Sequence, residues 1–254
     1  MSYIRTEGNP LDRTAVITGA GSGIGRATAR ALADQGCRVL AVGRTETRLI
    51  ETAGGRDTIR PCAIDITAPG AAAEVMDAAE REFGGVDILV NNAGVVDQTP
   101  LGEIDPAVVQ RHLAVNLVAP IALTQQALPM LEAARGTVVN VSTAVGQRGW
   151  VPMSSYGATK VAIDFLTRTW AVELAPRGIR VVAVAPGPVD TPMLANNDYD
   201  EAGAAEMRRN LDRVPLGRPA RPEEVAWWIA NLVRPEAEFV TGVVLPVDGG
   251  YSAA

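Results

Sequence analysis

Cysteine, histidine and aromatic side chains are all scarce in this chain: its 254 residues include two Cys, one His, three Phe, four Trp and four Tyr. Two thiols, Cys37 and Cys62, cannot staple a domain of this size, and no CxxC or HxxxH spacing offers a metal site. So few aromatics leave little for platforms on which nucleobases stack. Positive charge is not in surplus either. Lys and Arg number 23 against 29 Asp and Glu, a net charge of −6, which argues against a nucleic-acid binder with its basic footprint. No apolar run approaches the ~20 residues needed to cross a bilayer, so no membrane partner is expected. The amino end, MSYIRTEGNPLDR, lacks the apolar centre of a secretory signal. What remains is the expectation of a soluble, cytoplasmic protein without a metal ion.

Apolar residues make up 47% of the chain, and a globular chain of this length can bury roughly 70–75% of its unfolded surface. Length alone allows one domain or two. Short β-branched runs recur at Thr14–Thr18, Arg38–Val42, Ile88–Asn91, Thr137–Ser142, Arg180–Ala185 and Val243–Val247. They are continuously apolar rather than alternating, as strands are when helices cover both sheet faces. Helical stretches lie between them, near Ile24–Gln35, Ala71–Phe83, Asp105–Glu132, Ser155–Leu174 and Pro222–Leu232. Strands alternating with helices imply right-handed crossovers, hence a doubly wound Rossmann-type α/β fold around a parallel sheet of six or seven strands. No Pro/Gly/Ser linker divides residues 1–254, so a single domain is expected, with residues 1–12 as an amino-terminal extension. From Pro186 to Pro219 turn residues mix with a short helical patch. Some thirty residues without a strand read as a substrate lid or as a disordered insertion, and Met193 and Leu194 favour the lid, since pure solvent suits them poorly.

After the first strand come Thr18, Gly19, Ala20, Gly21, Ser22, Gly23, Ile24, Gly25 and Arg26, and then a helix. Glycines permit positive φ and let backbone N–H groups approach a pyrophosphate, while a helix N-terminus adds partial positive charge. A lone glycine cluster can be only a tight turn. Its place between strand and helix favours dinucleotide binding. The second strand ends at Gly43, where NAD-binding folds usually carry an acid for the ribose 2′-hydroxyl. Arg44 follows instead, and a guanidinium can pair with a 2′-phosphate through charge-assisted hydrogen bonds. This favours NADP(H) over NAD(H), although Arg44 also reads as a solvated surface residue and the glycine turn itself carries Ser22 rather than a base.

Further along stand Asn91-Asn92-Ala93-Gly94, then Asn116, then Tyr156 and Lys160 four residues apart on one helix face. Free tyrosine titrates near pH ~10, so an acid-base role at neutral pH requires a lowered pKa, at a cost of roughly 3–4 kcal/mol for two to three units. An ammonium ~4 Å away at an effective dielectric of ~20 supplies about 4 kcal/mol. The pair could therefore move a proton at a carbinol oxygen; taken alone, it could equally be two residues on a surface helix.

Together, in this order, these elements resemble the short-chain dehydrogenase/reductase family, the branch with chains of about 250 residues, from about Arg13 to Tyr251. Its TGxxxGxG element matches Thr18, Gly19, Gly23 and Gly25, with Ser22 and Ile24 inside the same turn, and its NNAG element matches Asn91 to Gly94. The resemblance implies reversible hydride transfer between a nicotinamide cofactor and a ketone or secondary alcohol. It implies Tyr156 as the catalytic acid-base, Lys160 as the holder of the nicotinamide ribose, and Asn116 as the anchor of a water in the proton relay. Asp65, with Ile66 beside it, matches the adenine-binding position. Asn92, Ala93 and Gly94 would line the cofactor, as would Pro186, Gly187, Val189 and Thr191 beside its nicotinamide half. The family usually has a serine thirteen residues before the tyrosine; here that place holds Thr143, with Ser142 one earlier. Adjacent strand residues face opposite ways, which assigns the substrate-orienting hydroxyl to Thr143. Trp150 and Met153 would make the substrate cavity apolar or else simply pack, and Met193 and Leu194 are expected to bind substrate with them. The resemblance also suggests a homotetramer or homodimer. His112 reads as a packing or surface residue, and Trp227 and Trp228 as core plus a subunit contact. A non-redox lyase or epimerase on the same scaffold, or a dinucleotide-sensing binding protein, are the competing functions.

Overall fold

Runs of Val, Ile, Leu and Ala are long enough to cross a sheet but too short for a buried helix. In the computed structural model, which describes residues 13–147, 150–195 and 211–253, they are strands. In chain order these are β1 (Thr14–Thr18), β2 (Arg38–Gly43), β3 (Ile59–Ala63), β4 (Ile88–Asn91), β5 (Thr137–Val141), β6 (Arg180–Pro186) and β7 (Val244–Val247). All pair in parallel, in the spatial order β3-β2-β1-β4-β5-β6-β7. The helices are α1 (Gly23–Asp34), α2 (Glu46–Ala53), α3 (Ala71–Phe83), α4 (Pro106–Leu113), α5 (Ala119–Ala134), α6 (Ser154–Leu174) and α7 (Pro222–Leu232). The expected doubly wound α/β domain is present, with seven strands.

Alternation along each strand divides the core in two. Ala15 and Ile17 of β1, Val39 and Ala41 of β2, and Ile88 and Val90 of β4 pack on one face with Leu32 of α1 and Val225 and Ile229 of α7. Val16, Leu40 and Leu89 point the other way, onto Val75 of α3, Leu123 and Leu131 of α5 and Leu174 of α6. Strand order reverses between β1 and β4, and the crevice at the carboxyl ends there is where open α/β sheets bind ligands.

Two elements were absent from the sequence expectation. β3 carries Arg60 and Pro61 and is half exposed, as an edge strand can be because its outer side needs no ladder N–H. α2 has eight residues and buries only Leu49 and Thr52. A third difference lies in the helix expected over Asp105–Glu132. It runs from Pro106 to Ala134 but contains a π turn, Ala114–Val118, with Asn116 buried inside it. By length and mean hydropathy, 1.3 over its best 18 residues, this helix is apolar enough to cross a membrane, against the expectation of no such run. It instead lays Leu123, Ala127 and Leu131 into the core. Trp227 and Trp228 are not core residues: 56% and 40% exposed, they stack edge-to-face on the outer side of α7. Cys37 is buried and Cys62 half-buried, both free thiols.

The segment from Pro186 to Pro219 is tied down at both ends. Val189 bridges to Ala220, and Val214 packs with Ala144 and Tyr251. Residues 196–210, the Leu194 side chain and residues 1–12 lie outside the described residues.

Polar links between the middle strands set the register of their ends. Asn91 donates to Asn140 Oδ1 at 3.0 Å and to Thr124 Oγ1 at 3.1 Å, and Asn140 donates to Thr167 Oγ1 at 2.9 Å. Asn140→Ala leaves a buried amide donor without its acceptor, so it should lower unfolding stability by about 1–3 kcal/mol. A change below about 0.5 kcal/mol in urea titration, the size of an ordinary surface substitution, would show this network to be dispensable.

Candidate active site

Every strand delivers its last residue to the same edge, and the loops that follow bound a cleft of about 510 Å³. It begins at the glycine turn between β1 and α1. Gly19 and Gly23 have φ of +66° and +50°, where an L side chain is strained. A Cβ on Gly25 would lie 2.3 Å from the Gly19 carbonyl oxygen, and one on Gly19 would lie 2.9 Å from Ala93 Cα. Only glycine permits so close an approach of the turn to the first turn of α1 and to the loop after β4. Ser22 is the N-cap of α1, yet its side chain makes no capping bond. The turn is braced from behind by Arg26, which donates to the Gly21 carbonyl at 2.6 Å, and by Thr52, which donates to the Ala20 carbonyl at 2.9 Å. Thr18 fixes the neighbouring strand end by accepting the Asn92 and Ala93 N–H groups, each at 3.0 Å.

At one end of the cleft lie exposed Arg44 and Asp65. Thr67 donates twice to Asp65 Oδ1, and those bonds, with Arg44 nearby, hold its carboxyl below the usual range. Arg48, in the first turn of α2, faces the same end and was missed because a basic residue on a polar helix carries no signal. At the other end β5 runs out into Ser142 and Thr143. Thr143 stands beside the Tyr156 phenol, whose pKa it draws down, and donates to the Pro186 carbonyl at 3.3 Å. Ser142 instead donates to the Lys160 carbonyl at 3.4 Å.

Burial dominates the electrostatics here. Tyr156 and Lys160 are 9% and 5% exposed. Loss of water pushes the phenol up to about 12, with the Thr143 hydroxyl pulling it back, and pulls the lysine down to about 8, with Asp164 opposing. The sequence argument expected the ammonium to lower the phenol. Instead Nζ donates to the Val141 carbonyl at 2.8 Å and stands 5.9 Å from the phenol ring centroid, so desolvation outweighs it. Asn116 also has a structural place in the wall of the cleft. Its side chain clamps Val95, accepting from the N–H and donating to the carbonyl at 2.9 Å each, and donates to Thr159 at 3.2 Å. Gly94 separates it from Lys160: a Cβ there would stand 3.5 Å from Asn116 Oδ1 and 3.6 Å from Lys160 Nζ.

Of the residues the sequence assigned to catalysis, cofactor or substrate, all line this one cleft except Asn116, which lies behind Gly94, and Leu194, which is outside the described side chains; Thr18 and Asn91 of the two motifs lie beneath it in the strand ends. Ile24, Ile66, Asn92, Val189, Thr191 and Met193 are among those that line it. Met153 packs beside Tyr156, and Trp150 stacks on Tyr251, ring centroids 4.7 Å apart. Tyr251, Gln98 and Arg111 were not foreseen. The cradle fits a dinucleotide: a glycine-rich turn with only Ala20 and Ser22 as side chains at a helix N-terminus, a floor of Asn92, Ala93 and Gly94, and Gly187, where a Cβ would meet Asp248 Cα at 2.8 Å.

Such a fold and cleft define a nicotinamide-dinucleotide enzyme of the doubly wound class. A family model described as enoyl-(acyl carrier protein) reductase matches residues 19–252. Cis-4-hydroxycyclohexanecarboxylate dehydrogenase of Sinomonas cyclohexanicum is 43% identical over 95% of this chain and 97% of its own. The 3-ketoacyl-(acyl-carrier-protein) reductase of Brucella melitensis, solved with NADH, superposes with a TM-score of 0.88 at 33% identity over 94% of this chain and 98% of that one. A structure described as an NAD(P)-dependent gluconate 5-dehydrogenase of Beutenbergia cavernae, with NADP at low occupancy, gives 0.87 at 36% identity over 95% and 97%. The chain belongs to the short-chain dehydrogenase/reductase family. It is an NAD(P)-dependent oxidoreductase acting on hydroxyl or keto groups.

The pKa order has a direct test. In the cofactor-free protein, the ultraviolet phenolate titration of wild type minus Tyr156→Phe should show no ionisation up to the tyrosine reference of ~10. A transition at neutral pH would mean that the lysine governs the phenol even before cofactor binds.

Proposed function

We propose that this enzyme moves hydride reversibly between NADP(H) and a ketone or secondary alcohol, with Tyr156 as acid-base. The observation that carries this reading is the nearness of the Thr143 hydroxyl to the buried Tyr156 phenol, one helical turn from buried Lys160, in a cleft continuous with the glycine turn. The bound nicotinamide supplies or takes the hydride. Gly19, Ser22, Gly23, Ile24 and Gly25 would hold its pyrophosphate, and Asp65 and Ile66 its adenine. Asn92, Ala93, Gly94, Lys160, Pro186, Gly187, Val189 and Thr191 would hold the nicotinamide half. In reduction Thr143 donates to the substrate oxygen while Tyr156 gives that oxygen its proton; in oxidation the phenolate takes it back. Lys160 orients the ribose and favours the phenolate as it forms. Asn116 keeps the Val95 wall in register beside them.

Arg44, with Arg48 beside it, supports NADP(H) over NAD(H), because no carboxylate stands at Gly43 to accept a ribose 2′-hydroxyl. For the substrate, Val96, Val145, Trp150, Met153 and Met193 offer an apolar wall, and Gln98 and Arg111 a polar rim. With the Sinomonas relative, this favours a compact ring alcohol bearing a carboxylate. The segment from Pro186 to Pro219 would close over it as a lid. Exposed Val161, Phe165 and Val172 on α6 and Leu113, Val118 and Ile121 on the helix of Asn116 suit burial in a homodimer or homotetramer working in the cytoplasm.

Assay of cis-4-hydroxycyclohexanecarboxylate, gluconate and a 3-ketoacyl thioester with each cofactor, following reduced nicotinamide, tests this reading. Tyr156→Phe should lose at least about 100-fold in kcat, the scale of general acid-base catalysis; a variant as fast as the parent sinks the mechanism. Thr143→Ala should cut turnover far more than Ser142→Ala, and the reverse ranking would move the role to Ser142. Arg44→Ala should weaken NADPH by about tenfold, the order of one charge-assisted hydrogen bond, and leave NADH almost untouched. Wild type that prefers NADH ends the NADP assignment. With the phenol at about 12, oxidation rises with pH because it needs the scarce phenolate, whereas reduction stays level through neutrality.

A further inference from the structure

His112 is the only histidine in the chain, and its imidazole is completely buried in the last turn of α4, one turn before Asn116. The Asp97 backbone N–H donates to Nε2 at 3.0 Å, and Asp97 Oδ2 is also 3.0 Å from Nε2. Nδ1 lies 3.1 Å from Ser155 Oγ. The ring stands edge-on to Tyr156, with centroids 6.2 Å apart and planes at 68°. These partners belong to two different walls of the substrate end. Asp97 sits between Val96 and Gln98, which both line the cleft, and Ser155 immediately precedes Tyr156 in the first turn of α6.

We propose that His112 is a positioning residue: as a neutral imidazole it fastens the Val95–Gln98 wall to the helical turn that carries Tyr156, and its protonation re-registers that wall by moving its hold from the Asp97 backbone N–H to the Asp97 carboxylate. This role rests on the reading of Tyr156 as the acid-base. A neutral ring that accepts at Nε2 bears its hydrogen on Nδ1 and donates it to Ser155. In the cation both nitrogens are donors. Nε2–H then turns to the Asp97 carboxylate, and the Asp97 backbone N–H loses its acceptor. The titratable and charged groups that face the ring are Asp97 from the segment after β4, Arg111 from its own helix and Tyr156 from α6. Arg111 pairs with the same Asp97 carboxylate, so the wall's charge is already held on one side. Burial pulls the imidazole below its ordinary 6.5, Asp97 pulls it up and Arg111 down, which keeps the neutral form in place at physiological pH.

Because there is one histidine, its ring resonances in tag-free, full-length protein need no assignment. NMR titration should show the Nδ1–H tautomer with a midpoint below 6.5, moved lower in Asp97→Asn, where the carboxylate that favours the cation is gone. An Nε2–H tautomer at neutral pH, a midpoint at or above 6.5, or no movement in Asp97→Asn would overturn the proposal. Kinetics with whichever of the three assayed compounds turns over fastest give the second arm. His112→Phe should raise KM about tenfold, the scale of one lost buried hydrogen bond, with a smaller change in kcat. His112→Gln, which returns an acceptor near Nε2, should recover part of KM and lose the acid limb of kcat/KM. Should His112→Phe fail to fold, Ser155→Ala carries the kinetic arm, with a smaller rise in KM. Wild-type KM in His112→Phe, or in Ser155→Ala where Phe fails, refutes the role. A Tyr156→Phe enzyme that keeps its rate would refute the acid-base reading instead, and the two failures are told apart by which variant stays active.

Discussion

Lys160 holds an amine where water does not reach, and most of the site's behaviour follows from how that amine is kept there. It donates to the Val141 carbonyl at the end of β5, 2.8 Å away. Burial disfavours charged forms whichever way the proton moves, so the same loss of water that draws the lysine down to about 8 drives the neighbouring phenol up to about 12. Asp164, one turn further along α6, opposes the first shift and is itself pushed up by burial. Ser142, the residue just before Thr143, donates to the Lys160 carbonyl at 3.4 Å, and this hydroxyl ties the helix that carries Tyr156 and Lys160 to the end of β5.

Geometry at this level is set by the parallel register. Asn91 opposite Asn140, and Val141 opposite Val184, bring β4, β5 and β6 to the edge in step. Where an ordinary helix would carry its side chains past that edge, the π turn adds a residue and places Asn116 against Val95. π turns are rare in helices and often mark functional positions. Here the turn lets a single amide grip both polar groups of a backbone residue in the cleft wall, while α4 and α6 remain packed together on either side of it.

Much of this could be read in the chain, and what could not has identifiable causes. Strands buried on both faces announce themselves as unbroken apolar runs, which is why β1 and β4 emerge at their observed limits and β2, β5 and β6 within a residue. β3 does not, because an edge strand can hold Arg60 and Pro61 without losing its inner ladder. The break at Asn116 is invisible because the apolar period continues through it. Alternation continued past the end of β5 is what made Thr143 rather than Ser142 the expected orienting hydroxyl, since opposite faces are a property of extended chain itself. By contrast, i,i+4 spacing fixes only that Tyr156 and Lys160 share a helix face. Where the amine goes is a matter of rotamer and of which carbonyl lies near, and that carbonyl comes from β5. Arg48 and His112 were unreadable for the same reason: a lone basic residue gains meaning only from what the fold brings beside it, the Arg44 and Asp65 end of the cleft for Arg48 and Asp97 and Ser155 for His112.

A phenol held near 12 also gives the two directions of the proposed reaction unequal standing. Reduction of a ketone develops alkoxide character on the oxygen that Thr143 and Tyr156 face, and an alkoxide is a stronger base than any phenolate. Proton transfer to it is downhill even from a phenol made this reluctant, and at neutral pH the phenol is almost wholly in the form required. Oxidation needs the phenolate first, and its formation costs more here than in water. Any charge that helps must come from Lys160, whose ammonium lies near the ring but is directed at Val141. Moving that ammonium a short way toward the phenol oxygen would strengthen its effect steeply, because in a site of low dielectric the Coulomb energy grows as the separation shrinks. The lysine's position therefore sets how far the balance can tip toward alcohol oxidation.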